Sequence, residues 1–214
     1  MRRLCALLVA GCAGAPQTVE RDPGAALDAA EAAAVLRARL PLVLPGATLL
    51  HEVAIDTQKR SIVCVGRLTF PSVDSLRLVA QTPFGMTLFQ VRCERERCTA
   101  EMASALAGRV PGTGLAKEIG RIYLGACPPG SPVFRAGSDF EARCAGPEGT
   151  RWTERIEGPS HRLAERTIHE PGGRKLTIRY QDWAPVGQAS HPRRITLLSG
   201  DYRIEIALRD VQGP

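Results

Sequence analysis

Cysteine is the residue type in this chain with the widest chemical scope, and the 214 residues include seven of them. A thiol can be acylated, can pair in a disulfide or can ligate a metal ion. The sequence contains no GxSxG, P-loop, GxGxxG or HExxH motif, so the common signatures of nucleophilic, nucleotide-dependent and zinc-dependent enzymes are missing. We therefore look for the chemistry of this chain in its cysteines and predict no catalytic residues.

The first twelve residues have the order of a secretory signal. A basic start and a short apolar run over residues 4–11 lead through small residues into Cys12. The run is much shorter than the roughly 20 residues that a membrane-spanning helix needs. The segment Val9-Ala10-Gly11-Cys12 resembles the lipobox of bacterial lipoproteins, in which the chain is cut before the cysteine and the cysteine is acylated. The resemblance implies a signal peptide over 1–11 and a lipidated Cys12.

The residue after Cys12 is Ala13. In the enterobacterial sorting rule for such lipoproteins, an aspartate at that place retains the protein at the inner membrane. The resemblance therefore implies a lipid anchor in the outer membrane, with the chain facing the periplasm. Residues 12–24 are small or polar and include proline and glycine, which predicts a flexible tether. Residues 25–214 are then long enough for a single domain.

Export to an oxidising compartment allows the remaining cysteines to pair. Cys93 and Cys98 flank four charged residues between two strand-like runs, which suggests a disulfide across a hairpin tip. Cys127 and Cys144 bracket a loop rich in proline and glycine and would form a second bridge. Cys64 lies within an apolar run, where a free thiol behaves as a small core residue. The sequence does not fix the connectivity, so other pairings stay open.

Metal ions, cofactors and nucleic acids are not predicted partners. No CxxC motif occurs, and the four histidines are scattered along the chain, so no metal site is expected. The net charge is +6. The basic residues are nearly all arginines that are spread through the sequence and interleaved with glutamates, whereas nucleic-acid-binding proteins usually show a clustered basic patch.

Hydrophobic periodicity divides the chain into strands and helices. From residue 47 onward, apolar and polar residues alternate in runs that predict about nine antiparallel strands, each with one buried face. A helix is predicted over 25–40, a short helical stretch over 102–110, and a further helix over 113–124 with Lys117 and Glu118 on its polar side. The fold class is mainly β (α+β), with a curved antiparallel sheet forming an open half-barrel under covering helices.

This order of elements resembles the LolA/LolB-like superfamily of periplasmic lipoprotein carriers, and within it the bacterial lipoproteins of the DUF3261 type. The resemblance covers residues 26–210 and includes a strand–Pro-x-Gly–strand segment that contains Pro83-Phe84-Gly85. It implies a half-barrel with a lid of helices over an apolar cavity for acyl chains. LolB itself carries an exposed apolar residue on a loop, used in membrane insertion, for which Phe84 is the candidate here. The segments that carry the resemblance are 76–89, 115–124, 176–180 and 202–208.

Two functions of different classes remain open. In the first, the protein binds acyl chains in the cavity and carries or transfers lipid or lipoprotein without covalent catalysis. In the second, it is a structural or assembly lipoprotein whose half-barrel is filled by its own side chains and is presented to a protein partner in the cell envelope. An enzyme is not predicted. The candidate cavity-lining residues are Ile62, Leu68, Leu78, Leu88, Leu115, Ile119, Ile122, Ile178 and Ile204.

Overall fold

The computed structural model describes residues 24–39, 41–57, 61–95, 97–103, 112–186 and 189–213. These residues form two α-helices and twelve β-strands, where about nine strands were predicted. The predicted signal peptide, Cys12 and all of the predicted tether except Gly24 lie outside the described residues. In chain order the elements are α1 (Ala29–Ala38), β1 (Thr48–Thr57), β2 (Ser61–Ser72), β3 (Ser75–Gln81), β4 (Thr87–Glu94), β5 (Arg97–Met102), α2 (Gly112–Tyr123), β6 (Val133–Ala136), β7 (Asp139–Ala145), β8 (Arg151–Ile156), β9 (Leu163–His169), β10 (Lys175–Val186), β11 (Ala189–Leu198) and β12 (Tyr202–Gln212).

All of these strands belong to one antiparallel sheet with the order β5-β4-β3-β2-β1-β12-β11-β10-β9-β8-β7-β6. Nearly every strand pairs with its neighbours in the chain. The exception is the pairing of β1 with β12, which joins the two halves of the domain. The end strands β5 and β6 lie at opposite ends of the strand order and do not pair with each other, so the curved sheet stays open. The predicted open half-barrel is confirmed.

One face of the sheet is apolar and buried, as the alternation predicts. In β2 every second residue from Cys64 to Phe70 is buried, and in β3 the buried residues are Leu76, Leu78 and Ala80. The first halves of β10 and β12 follow the same rule. Since successive side chains of a strand point to opposite faces, these residues form one continuous core on the inner side of the sheet.

The buried face of β4 differs from the prediction, which placed Leu88 on the inner side. The register between β3 and β4 shifts between Ala80 and Gln81 and leaves Leu88 as an extra residue in β4. A bulge of this kind interrupts the period of two. Leu88 is therefore only half-buried against the core. The buried residues of β4 are Phe89, Val91 and Cys93.

The helix α1 begins four residues later than predicted. The Asp28 carboxylate accepts hydrogen bonds from the backbone N–H groups of Ala30 (2.9 Å) and Glu31 (2.8 Å) and so caps the helix. The residues just before the cap are extended, and Ala26 forms a β-bridge with Phe134 in β6. Pairing with the end of the sheet thus competes with helix formation in this segment.

The helix α2 lies in the connection between β5 and β6, the two end strands of the sheet. Its predicted apolar stripe of Leu115, Ile119 and Ile122 is buried. Glu118, predicted to face solvent, is buried as well, because Arg174 pairs with it. The predicted helical stretch over 102–110 begins inside β5, and residues 104–111 lie outside the described residues. Within the described ranges, neither helix has the length and apolarity to span a bilayer.

Candidate functional site

The nine predicted cavity residues come together in the interior of the half-barrel. Two of them, Ile62 and Leu88, are half-buried and pack against the core from its border. The other seven are buried members of a single apolar cluster. They do not line the groove that is described below. Their side chains pack in one cluster with other buried side chains of the sheet and of α2. The seven buried residues are Leu68, Leu78, Leu115, Ile119, Ile122, Ile178 and Ile204.

The apolar side of α2 rests on a disulfide. Cys93 and Cys98 are directly opposite each other in β4 and β5 and are bonded, with their Cα atoms 4.1 Å apart. A Cβ atom on Gly120 would lie 2.5 Å from Cys98 Sγ, so only glycine allows the helix to come this close to the strands. The hairpin bond suggested by the sequence is thus buried under the helix.

The second disulfide joins Cys127, just after α2, to Cys144 in β7, with a Cα–Cα distance of 5.4 Å. The strand β6 and most of β7 lie between the two cysteines, where a loop was expected. Cys64 is free and buried, and burial raises the pKa of its thiol to about 11. Reactive cysteines have lowered pKa values, so Cys64 has the environment of a packing residue.

Buried polar groups of the sheet hold the C-terminal end of α2. The Tyr180 hydroxyl donates a hydrogen bond to the carbonyl oxygen of Ile122 at 2.9 Å, and Arg166 Nη1 donates one to the carbonyl oxygen of Arg121. The last carbonyls of a helix have no partner within the helix, and a cation is favourable beside them. These two contacts therefore attach the end of α2 to β9 and β10.

The charge of Arg166 is balanced inside the protein. Arg166 donates to Glu154 Oε1 from Nε (3.0 Å) and from Nη2 (2.7 Å), and Arg39, next to α1, donates to Glu154 Oε2 at 2.7 Å. Arg166 and Glu154 are almost completely buried. Removing one member of such a group leaves an uncompensated buried charge. The Arg39–Glu154–Arg166 group therefore links the ends of both helices through the sheet.

The outer side of α2 is tied to the turn between β9 and β10. Glu118 accepts a hydrogen bond from Arg174 at 2.6 Å, and Arg121 forms an ion pair with Glu170 at 2.7 Å. Partial burial alone would raise the pKa of Glu170, but Arg121, Arg174 and Lys117 beside it lower it overall. The helix is thus held over the sheet on its apolar side, at its end and along its outer side.

A second buried polar cluster contains His51 in β1, His191 in β11 and Tyr123, the last residue of α2. The two imidazole centroids are 6.4 Å apart, and the Tyr123 ring lies 6.3 Å and 6.5 Å from them. Among the described residues, Nε2 of each histidine has no hydrogen-bond partner. Burial lowers the pKa of His51 to about 3 and that of His191 to about 4, so both imidazoles are neutral at pH 7.

A groove of about 810 Å³ opens at one end of the half-barrel. The loop that precedes β1, the hairpin between β10 and β11, and the last residues of β12 form its walls. This volume is within the range of small-molecule sites. The lining residues are Leu44, Pro45, Ala47, Pro185, Val186, Ala189, Arg193, Leu208, Arg209, Asp210, Val211 and Gly213.

The apolar wall of the groove is the border of the core. Leu44, Leu208 and Val211 line the groove and also pack against the buried cluster. Leu208 and Val211 are three residues apart and would face opposite sides of a regular strand. A register shift opposite Leu50 and His51 makes Arg209 an extra residue of β12, so both apolar side chains reach the inner side.

None of the nine predicted cavity residues lines this groove. The alternation in the last strand placed Leu208 on the apolar face. This was the one sequence pattern that indicated a residue of the apolar wall of the groove. No pattern in the sequence pointed to Leu44 or Val211, because the loop has no periodicity and the bulge breaks the period of β12. The role of the nine interior residues in lipid binding stays a prediction.

Two exposed apolar side chains lie on the turn between β3 and β4. Phe84 is 92% exposed and Met86 is 65% exposed. The candidate for a membrane-contacting loop residue is thus placed at the tip of a hairpin with no apolar neighbour covering it. In the part of the chain that the structure describes, no cluster of three or more metal-ligating side chains is found.

Comparisons with known proteins show the fold. No protein-family model matches the sequence, and no curated protein matches it at the sequence level. A LolA superfamily protein from Nitrosomonas europaea is similar in structure, with a TM-score of 0.58 and 11% identity over 85% of this chain and 92% of that chain. A domain assigned to outer-membrane lipoprotein sorting in Vibrio parahaemolyticus has a TM-score of 0.57 and 10% identity, covering 88% and 92% of the two chains.

A DUF1329 family protein from Desulfovibrio piger is similar to the same extent, with a TM-score of 0.57 and 7% identity over 86% of this chain and 91% of that chain. The three likenesses extend over nearly the whole described domain. At such low identity they establish the LolA-like architecture and leave the function to the site itself.

Proposed function

We propose that this protein is a periplasm-facing lipoprotein of the outer membrane that binds acyl chains and carries or transfers lipid or lipoprotein without covalent catalysis. The observation that carries the proposal is the groove, whose apolar wall is the exposed border of the core. Burial of an alkyl chain contributes about 0.8 kcal/mol per CH₂ group. A chain bound along such a wall is therefore held without a covalent bond.

The proposal includes a path into the interior. Leu208 and Val211 in the groove pack against the same core that contains the seven buried candidates, three of which belong to α2. Displacement of α2 would exchange its apolar contacts with the sheet for contacts with an acyl chain. In this proposal α2 is the lid of the half-barrel. The buried hydrogen bonds that Tyr180 and Arg166 donate to the end of α2 oppose its displacement and would keep the lid closed.

The membrane location rests on the N-terminal pattern and on the exposed hairpin. A lipidated Cys12 would hold the protein at the membrane, and the Vibrio parahaemolyticus neighbour, a lipoprotein-sorting domain, supports an envelope role. Phe84 and Met86 offer an apolar tip that can enter a lipid surface. Anchor, tip and groove together would allow a chain to pass between the protein and the bilayer.

Binding of a fluorescent fatty acid, 11-(dansylamino)undecanoic acid, tests the proposal directly. We expect the purified protein to bind the probe and Leu208→Asp to weaken binding at least about tenfold, because a carboxylate on the apolar wall is unfavourable. Leu208→Trp fills the groove without adding a charge and should weaken binding similarly. The control is Val63→Asp, which places the same charge on the outer face of β2, where Val63 is exposed.

The proposal is wrong if the protein does not bind the probe, or if both Leu208 variants fold and bind it as the wild type does. Thermal unfolding of each variant separates loss of binding from loss of the fold. Val63→Asp should bind the probe with unchanged affinity.

The filled interior favours a second candidate function, that of a structural or assembly lipoprotein. All nine predicted cavity residues pack in or against one core, as expected of a half-barrel that serves only as a scaffold. Native mass spectrometry of protein purified from membranes separates the two functions. Co-purified lipid supports the carrier, whereas a lipid-free protein that stays bound to another envelope protein supports the assembly role.

A further inference from the structure

We propose that the groove selects lipids with an anionic head group and that Arg193 is the residue that recognises this group. The inference rests on the proposed function and deepens it by naming the class of ligand. The head group is an oxyanion attached to an alkyl chain, as in the carboxylate of a fatty acid or the phosphate of a phospholipid.

Arg193 is the lining residue that combines position with charge. It lies two residues before the buried Ile195 in the middle of β11, and hence on the same inner face, and it lines the groove. Its side chain is exposed, and no carboxylate among the described residues forms an ion pair with it. Its guanidinium is therefore available to a ligand in the groove.

The other charged residues of the groove already have partners. Arg209 forms an ion pair with Glu52, and Asp210 accepts a hydrogen bond from Gln212 at 3.3 Å. Arg194, the neighbour of Arg193 in sequence, points to the opposite face of the strand and pairs with Asp182 at 3.7 Å. Among the described lining residues, Arg193 is thus the cation without an ion pair, and Asp210 is a carboxylate whose hydrogen-bond partner is neutral.

The arrangement fits an amphiphile. The wall formed by Leu44, Leu208 and Val211 suits an alkyl chain, and the exposed Arg193 lines the same groove. A guanidinium carries five N–H donors in a fixed plane and binds carboxylates and phosphates through two of them at once. A neutral head group of the same size would lose these charge-assisted bonds.

The test compares ligands that differ only in the head group. Displacement of 11-(dansylamino)undecanoic acid is measured with dodecanoic acid, dodecyl phosphate and dodecanol, and with inorganic phosphate as a head group without a chain. We expect one or both anionic ligands to displace the probe at a concentration about fivefold lower than dodecanol, the size expected for one partly exposed charge-assisted contact. Whichever anion binds more tightly identifies the head group as carboxylate or phosphate.

The matched variants are Arg193→Gln and Arg194→Gln, which remove the same charge from adjacent residues on opposite faces of β11. In Arg193→Gln the preference for the anions over dodecanol should fall to about one. The dissociation constant of dodecanol, calculated with the weaker affinity of the carboxylate probe for this variant, should stay as in the wild type. In Arg194→Gln the preference should stay as in the wild type. Both side chains are exposed, so both variants should fold, which circular dichroism checks.

Three results would overturn the inference while leaving acyl binding intact. These are equal displacement by dodecanol and both anions, an unchanged preference in Arg193→Gln, and displacement by inorganic phosphate at the concentration where dodecyl phosphate acts. A protein that binds neither the probe nor any of the alkyl ligands would refute the proposed function together with this inference.

Discussion

His51 and His191 are buried side by side although they are 140 positions apart in the sequence. They face Tyr123 from α2, which in turn contacts Phe70, and His191 Nδ1 lies 3.0 Å from the Pro192 carbonyl oxygen, to which it donates. No ionised carboxylate is among these contacts. Protonation of either imidazole would place an unpaired charge beside the end of α2.

We expect acid to destabilise the fold through these two histidines. Both pKa values are lower in the folded state than the unfolded value of 6.5. Above pH 6.5 both states are neutral and the histidines have no effect, whereas below it only the unfolded chain takes up protons. Each histidine should therefore cost about 2 kcal/mol of unfolding free energy between pH 7 and pH 5.

Urea unfolding at pH 7, 6 and 5 measures this loss. Most carboxylates titrate below this window, so it isolates the histidines. His191→Gln removes one of the two titrating groups and should reduce the loss by about half, while the exposed His169→Gln should leave it unchanged. A wild-type stability that is constant from pH 7 to pH 5 would show that the buried pair does not control the acid response.

At the scale of elements, α2 is attached to the sheet on its apolar side, on its outer side and at its C-terminal end. Gly120 lets it approach the Cys93–Cys98 bond, Glu118 pairs with Arg174 on its outer side, and Tyr180 binds a carbonyl at its end. Helices in proteins are stabilised mainly by packing of this kind and less by intrinsic propensity. The contacts at the end of α2 are the ones that must break first if it opens as a lid.

Tyr180→Phe should therefore loosen α2. Burial raises the pKa of Tyr180 to about 12, so its hydroxyl is a proton donor at neutral pH. Its removal leaves the buried Ile122 carbonyl unsatisfied, which costs about 1–3 kcal/mol. Urea unfolding measures that loss, and hydrogen exchange should be faster in α2 than in wild type.

The matched control is Tyr202→Phe. Its hydroxyl accepts a hydrogen bond from Arg174 at 2.8 Å and also bonds Glu118, but Arg174 still pairs with Glu118 when the hydroxyl is removed. We therefore expect a smaller loss than in Tyr180→Phe, because no buried group is left without a partner. Equal losses in the two variants would show that the buried carbonyl has no special role in holding α2.

At the scale of the whole molecule, the half-barrel domain follows an N-terminal segment that has the sequence pattern of a lipoprotein. In the proposed function the groove would hold an acyl chain, and a lipidated Cys12 would supply the membrane attachment. One acyl chain alone gives only weak membrane binding, so stable anchoring needs a second signal. Further acylation of Cys12 or the apolar tip at Phe84 would provide it.

We expect the mature chain to begin at an acylated Cys12. Intact-mass spectrometry of the protein from the membrane fraction should show loss of residues 1–11 and addition of acyl chains. Cys12→Ser should move the protein out of the membrane fraction, whereas Cys5→Ser, within the predicted signal, should leave it there. A mature chain that starts elsewhere, or a Cys12→Ser protein that remains anchored, would contradict the lipoprotein assignment.

Local patterns in the sequence were sufficient to predict the parts of this protein that depend on neighbouring residues. The alternation from Cys64 to Phe70 predicted the buried face of β2, and the spacing of Leu115, Ile119 and Ile122 predicted the buried stripe of α2. Short loops with turn residues predicted antiparallel neighbours. From these elements the open half-barrel followed, because an apolar sheet face must be covered.

The tertiary structure alone decided the features that depend on residues far apart in the chain. The pairing of β1 with β12 brings the loop at Leu44 beside Val211 and so creates the groove. The bulges at Leu88 and Arg209 change which side chains face inward, and no periodicity reveals them. The Arg39–Glu154–Arg166 group joins residues from three separate segments. Sequence periodicity reports which face of an element is apolar, whereas packing between distant segments determines whether that face encloses a cavity, fills it or leaves a groove at its border.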